Sequence, residues 1–153
     1  MYFSGMKKLL ILPMLALVFF SCKKKAAADQ ASIDNGIITT YISSHHLAAK
    51  ATGSGLYYVV NAPGTGASIA AGSTVTVNYK GYLSNGTVFD QSTSSGITIS
   101  LGQVIQGWQE GIPLYKKGGS GILLIPSSLG YGAQATGSIP ANSVLIFDIT
   151  VLP

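Results

Sequence analysis

Between Thr74 and Leu83 the chain alternates, with Val75, Val77 and Tyr79 on one side and Thr74, Thr76, Asn78 and Lys80 on the other. A period of two is the spacing of a half-buried β-strand. Shorter β-type runs occur at Leu56–Asn61, Ile97–Leu101 and Gly121–Ile125, and Val144–Leu152 puts Leu145, Phe147, Ile149 and Val151 on one face. Gly, Pro and Asn punctuate the gaps between them. Asn85-Gly86 follows the longest run and predicts a tight type I′ hairpin, with positive φ at both central residues. Val104–Ile112 is the plausible helix among these strands. Ahead of them, between Asp29 and Lys50, Ile33, Ile37 and Tyr41 recur at i, i+4 and i+8, with Ile38 and Ile42 flanking the same stripe. That pattern predicts a weakly amphipathic helix, with Asp29 or Ser32 as its cap. Gly36 costs such a helix about 1 kcal/mol, so it needs a support: either the main domain or a second copy of itself. The fold class that results is α+β, an antiparallel sheet with one short helix against it.

The front of the chain follows another rule. Lys7 and Lys8 precede Leu9–Phe20, an apolar run that ends at Ser21-Cys22. A run of that length is short for a membrane-spanning helix, which needs about 20 residues, and it has the basic and apolar regions of an export signal. Met6-Lys7-Lys8 makes Met6 a second candidate start. The cysteine after a small residue resembles the lipobox of bacterial lipoproteins, although Phe19 stands where Leu is usual. That resemblance implies removal of residues 1–21, lipidation of Cys22 and a protein anchored in the cell envelope, facing the periplasm of a Gram-negative bacterium. Residues 22–52 then hold the anchor, a tether and the short helix, and 53–153 the main domain, with Thr52-Gly53-Ser54-Gly55 marking the boundary. Lys23–Lys25 would either rest on anionic headgroups, at about 1 kcal/mol each, or remain solvated.

Charge then removes several functions from consideration. Nine lysines and five acids give a formal +4, but five of the lysines lie within residues 1–25. From Gly53 onward Lys80, Lys116 and Lys117 balance Asp90, Glu110 and Asp148. A neutral domain without arginine is poorly suited to nucleic acid. A single cysteine excludes an internal disulfide framework. No histidine follows His46, so the domain has no conventional base for a serine nucleophile, and His45-His46, adjacent on a helix, are weak metal ligands. Gly107-x-x-x-Gly111 lies outside any apolar run long enough to make it a membrane-helix motif.

Large rings from five separate segments remain: Tyr79, Phe89, Trp108, Tyr131 and Phe147, with Asp90 beside one of them. The sequence around them resembles the FKBP-type peptidyl-prolyl cis–trans isomerases, in their bacterial lipoprotein branch. The matching stretches are Val75-Thr76-Val77-Asn78-Tyr79-Lys80-Gly81, Asn85-Gly86-Thr87-Val88-Phe89-Asp90, Gly102-Gln103-Val104-Ile105-Gln106-Gly107-Trp108, Ile125-Pro126, Leu129-Gly130-Tyr131-Gly132, and Ile139-Pro140 through Leu145-Ile146-Phe147-Asp148. They keep the family's order from Gly55 to Leu152.

The resemblance implies a half-open antiparallel β-sheet wrapped around one short helix, with an apolar cavity between them. In that cavity Trp108 would be the floor, and Tyr79, Phe89 and Phe147 the walls. Val104 and Ile105 would stand at the helix entry, where the Ile105 N–H meets a substrate carbonyl. Tyr131 would offer its hydroxyl to another carbonyl, Asp90 would lie at the rim, and Ile139 would close the pocket. Ile97 or Ile99 replaces a frequent aromatic wall residue, and Ala133–Ser138 is a short loop without an inserted flap. Asp90, Tyr131 and Tyr79 are the implied catalytic residues; Asp90 acts either by orienting neighbouring groups or directly on the amide. Ile122 and Leu124 fall on a face the family often makes polar, which implies either a partner surface or packing under the 29–50 segment. The implied activity is rotation about X–Pro bonds in folding envelope proteins, with proline-containing unfolded or partly folded polypeptides as partners, no cofactor and no metal. A binding module that holds chains in the same pocket without catalysis is the alternative, and a structural envelope lipoprotein a third reading.

Overall fold

The structure is a computed structural model that describes the backbone of residues 17–153 and side chains from residue 25. Residues 1–16, and with them most of the expected export signal, lie outside the described residues. The first element is helix α1 (Leu17–Ser44), followed by strands β1 (Lys50–Ala51), β2 (Tyr57–Ala62), β3 (Thr74–Leu83), β4 (Val88–Gln91) and β5 (Ile97–Ser100). Helix α2 (Gln106–Gly111), β6 (Ser120–Ile125) and β7 (Leu145–Val151) complete the chain, with short 3-10 turns at Leu101–Gln103, Ile112–Leu114 and Ser127–Leu129.

The seven strands form one antiparallel sheet in the order β1-β2-β6-β7-β3-β4, with β5 also paired to β3. β3 is long enough to take two neighbours on one edge. Thr74–Val77 pair with β5 and Lys80–Tyr82 with β4. The alternation in β3 and β7 is realised: Val75, Val77, Leu145, Phe147, Ile149 and Val151 are buried on the inner face, against Trp108 and Ile112 of the α2 region.

Helix α2 lies unusually close to that face. A Cβ on Gly107 would sit 2.5 Å from Ile125 Cγ2, and one on Gly111 would sit 2.6 Å from Leu123 Cδ1. The small-residue spacing along the helix is thus used for helix–sheet packing. Bare backbone at these two positions lets the helix settle onto β6 and brings Trp108, between them, down among the sheet's rings.

Two expectations about turns and caps change. Gly86 has φ +87, but Asn85 is not among the residues with positive φ, so the hairpin is not type I′. The Gly86 N–H instead donates to Leu83 O, the Leu83 N–H to Thr87 O and the Thr87 N–H to Asn85 Oδ1. Asn85 keeps an ordinary φ because its side chain closes the turn locally. Asp29 and Ser32 do not cap a helix start, because α1 is already running at Leu17 and ends at Ser44. His46, with φ +52, turns the chain out of it.

Helix α1 packs on the outer face of the sheet. Its buried positions are Asp34 and Ile38, with Ile37, Tyr41 and Ile42 half-buried against Leu124, Val144 and Ile122. The support for the helix is therefore the main domain, and Ile122 and Leu124 are covered by it. Ile33 is a correction to the expected stripe. It is 55% exposed, and the polar Asp34 takes the inward position. A hydrophobic stripe alone misassigns the face because Asp34 has a dedicated partner, Ser127.

Gly107→Ala tests the close approach of α2. The better helix propensity of alanine contributes up to about 1 kcal/mol, but overpacking against Ile125 costs about 1–3 kcal/mol. Urea titration should therefore show a net loss of stability. A gain would mean that helix and sheet part without penalty.

Candidate functional site

A cavity of about 440 Å³ opens between α2, the inner sheet face and the loop after the 3-10 turn at Ser127–Leu129. All ten residues singled out for a pocket line it: Tyr79, Phe89, Asp90, Ile99, Val104, Ile105, Trp108, Tyr131, Ile139 and Phe147. Ile97 lines it as well as Ile99, so the two candidates for the missing aromatic wall share the place. Gln103, Thr136, Gly137 and Ser138 complete the lining and are not singled out by the sequence. Gln103 could be found from its place in Gly102-Gln103-Val104-Ile105. The other three carry no residue-type signal. They enter because Thr136 and Ile139 exchange two backbone hydrogen bonds of 2.9 Å, folding the loop tip over the opening.

The floor is set by ring geometry. Trp108 meets Tyr79 edge-to-face at 5.0 Å and Phe147 at 5.1 Å, while Phe89 meets Phe147 at 5.5 Å with rings 83° apart. Edge-to-face contacts brace rings without stacking them flat, and the indole lines the cavity beside Tyr79, Phe89 and Phe147. Phe89 reaches this group because of a bulge. Gly81 pairs with Asp90 and Tyr82 with Val88, leaving Phe89 as the extra residue of β4. Such an insertion re-aims a side chain out of the alternating pattern. The buried Trp108 Nε1–H has no acceptor among the described residues.

Asp90 is the one charged residue in the lining. Its Oδ2 accepts the Tyr79 hydroxyl at 2.6 Å and its Oδ1 accepts the Gln91 N–H at 2.9 Å. Burial, and then the hydrogen bond to Asp90, raise the Tyr79 pKa well above the usual tyrosine value. Tyr79 therefore remains a donor through neutral pH, and its oxygen is committed to Asp90 rather than to the cavity. The other two carboxylates of the domain go elsewhere: Glu110 accepts from Ser54, and Asp148 from Tyr82.

Besides the Trp108 Nε1–H, the two donors expected to meet a ligand have no protein partner among the described residues. The Ile105 N–H, immediately before α2, makes no hydrogen bond among the described residues, while Gln109 Nε2 ties down the Val104 carbonyl at 2.8 Å. The Tyr131 hydroxyl likewise makes none, and its residue is 39% exposed. Away from the cavity, His45 stacks on Tyr41 at 3.8 Å at the exposed end of α1. An apolar hollow with a flat aromatic floor and two free donors at its edges can hold a compact apolar ring and grip carbonyls on either side of it.

The chain matches the family model described as FKBP-type peptidyl-prolyl cis-trans isomerase over residues 66–152. It is 51% identical over 104 residues to an FKBP-type peptidyl-prolyl cis-trans isomerase FkpA of Buchnera aphidicola subsp. Schizaphis graminum, covering 66% of this chain and 41% of that one. It is 42% identical over 133 residues to the FkpA of Aeromonas hydrophila, covering 84% and 50%. Among solved structures it is similar to FkpA from Escherichia coli, with a TM-score of 0.72 and 35% identity over 90% of this chain and 66% of that one. The chain spans half the length or less of these curated relatives. Sheet order, helix placement, cavity and family match agree, and the chain belongs to the FKBP-type peptidyl-prolyl cis-trans isomerase family.

Proposed function

We propose that this chain accelerates cis–trans rotation about X–Pro bonds in polypeptides. The observation that carries the reading is the cavity lined by Trp108, Tyr79, Phe89, Ile99 and Phe147 and edged by Ile105 and Tyr131, whose N–H and hydroxyl have no partner among the described residues. Rotation about a peptide bond meets a barrier of about 18–20 kcal/mol, and at proline it takes tens to hundreds of seconds unaided. The barrier is amide resonance, which moves electron density onto the carbonyl oxygen in the planar form. Twisting the bond returns that density to nitrogen. An apolar cavity offers the planar, more polar form little compensation for lost water, so the twisted form loses less on entering. Each 1.36 kcal/mol of such differential binding is tenfold in rate.

The residues divide the task by position. Trp108 supports the proline ring, and Ile105 N–H and Tyr131 Oη–H take carbonyls flanking the rotating bond. Ile139 and Val104 keep water from the mouth. Asp90 and Tyr79 act as a pair: with its hydroxyl bound to the carboxylate, Tyr79 holds its ring nearly perpendicular to Trp108. This favours an orienting role for Asp90 over direct action on the amide. No proton need be transferred, so no nucleophile–base pair is required.

We also propose that Cys22 is lipidated after export, which would put the domain on the periplasmic side of a Gram-negative envelope. The support is the Lys7-Lys8, Leu9–Phe20, Ser21-Cys22 order. Expression with labelled palmitate should mark the protein, and Cys22→Ser should abolish the label. A label that survives the substitution refutes the anchor.

A protease-coupled assay on a proline tetrapeptide measures the main claim. Activity above the uncatalysed blank is expected, and activity at the blank rate would leave a binding module that holds proline without turning it. Tyr131→Phe should lower kcat/KM about two- to tenfold, the equivalent of one net hydrogen bond. Asp90→Ala should lower it modestly and Trp108→Ala should remove it.

A further inference from the structure

Asp34 is a fully buried carboxylate on a helix that contributes nothing to the cavity wall. Its Oδ2 accepts both the Ser127 N–H at 2.8 Å and the Ser127 hydroxyl at 2.6 Å, while Oδ1 accepts Gln30 Nε2 at 2.8 Å. Asp34 and Ser127 are the buried polar side chains of the described residues. A buried carboxylate is tolerated only when hydrogen-bonded in this way, so the contact resists being pulled apart. Ser127 in turn organises the loop on its C-terminal side. Its carbonyl accepts the N–H of Gly130 at 3.0 Å and of Gly132 at 2.8 Å, the residues on either side of Tyr131. The Gly132 carbonyl then accepts the Asn142 N–H at 2.7 Å, closing the loop.

We infer that Asp34 is a positioning residue for Tyr131: from α1 it fixes Ser127, and through the Ser127 carbonyl it sets the turn from which the Tyr131 hydroxyl faces the cavity. No element of the sheet supplies an equivalent clamp, since the bonds to the Ser127 side chain and N–H both come from Asp34. The helix is thereby part of the site's construction. The kinetic side of this inference rests on the isomerase reading; the structural side does not.

The test compares Asp34→Asn and Asp34→Ala with the parent in the full 153-residue chain, in detergent and well below the unfolding midpoint. Amide hydrogen exchange by NMR should show the Gly130 and Gly132 protons exchanging about tenfold faster, with the core strand amide of Ile149 changed much less. The Tyr131 ring signals should shift. On the tetrapeptide, kcat/KM should fall about three- to tenfold. In a Tyr131→Phe background the same substitutions should change kcat/KM by less than about twofold, because the hydroxyl being positioned is already gone. Ser127→Ala, which removes one of the two contacts, should give the same pattern at smaller amplitude and serves where Asp34 variants do not fold. Equal acceleration of exchange at Gly132 and Ile149, or equal kinetic losses with and without the Tyr131 hydroxyl, would reduce Asp34 to general stabilisation and overturn the inference. If the parent itself shows no isomerase activity, the exchange and ring signals still decide whether Asp34 holds the loop.

Discussion

The architecture depends on how near α2 comes to β6. Two glycines on one face of that helix, over Ile125 and Leu123, remove the side-chain layer that normally separates a helix from a sheet. Helices ordinarily pack about 8–10 Å from a neighbouring helix because side chains fill the interval; here backbone meets side chain directly. Trp108 lies between the two glycines in sequence and is carried down into the ring cluster with them. Its indole is then braced at steep angles by Tyr79 and Phe147, and all three rings line the cavity. A helix held higher would let side chains fill the hollow, and the protein would have a larger core and no cavity.

The polarity of the hollow depends on where the charges go. The three carboxylates of the domain are each committed to a hydroxyl, on three separate parts of the surface. Only Asp90 reaches the lining, and its hydrogen bond to Tyr79 turns it inward as a brace. The groups left to meet a ligand are neutral donors. On the proposed function, such a site would recognise the shape of a proline and the direction of its carbonyls, with electrostatics in a secondary part.

Much of this is legible in the sequence. Alternation bounds β3 to the residue, four apolar positions mark the inner face of β7, and the family wording around five rings picks out the pocket residues. The parts that are not legible share a cause: each depends on a contact beyond the residue's own pattern, and most on one remote in sequence. Gly107 and Gly111 are only a spacing until Ile125 and Leu123 lie beneath them. Phe89 looks like any strand residue until the register with Gly81 and Tyr82 leaves it unpaired. Ile33 looks inward-facing by periodicity, yet the inward place belongs to Asp34, whose partner is 93 residues away. Asn85-Gly86 carries a true turn signal but the wrong turn type, because the Asn85 side chain satisfies the Thr87 amide.

Helix α1 also alters what the linker to the front of the chain is. Its residues from Asp34 to Ile42 lie on the sheet, whereas those from Lys25 to Ile33 have almost no protein beneath them and yet continue the same helix. At 1.5 Å per residue, Cys22 stands about 18 Å along the axis from Asp34. Were Cys22 the point of attachment, as proposed, the domain would be mounted on a strut rather than hung on a thread. Such a strut would set how far from the point of attachment the mouth can lie, so proline segments within that reach would be met first.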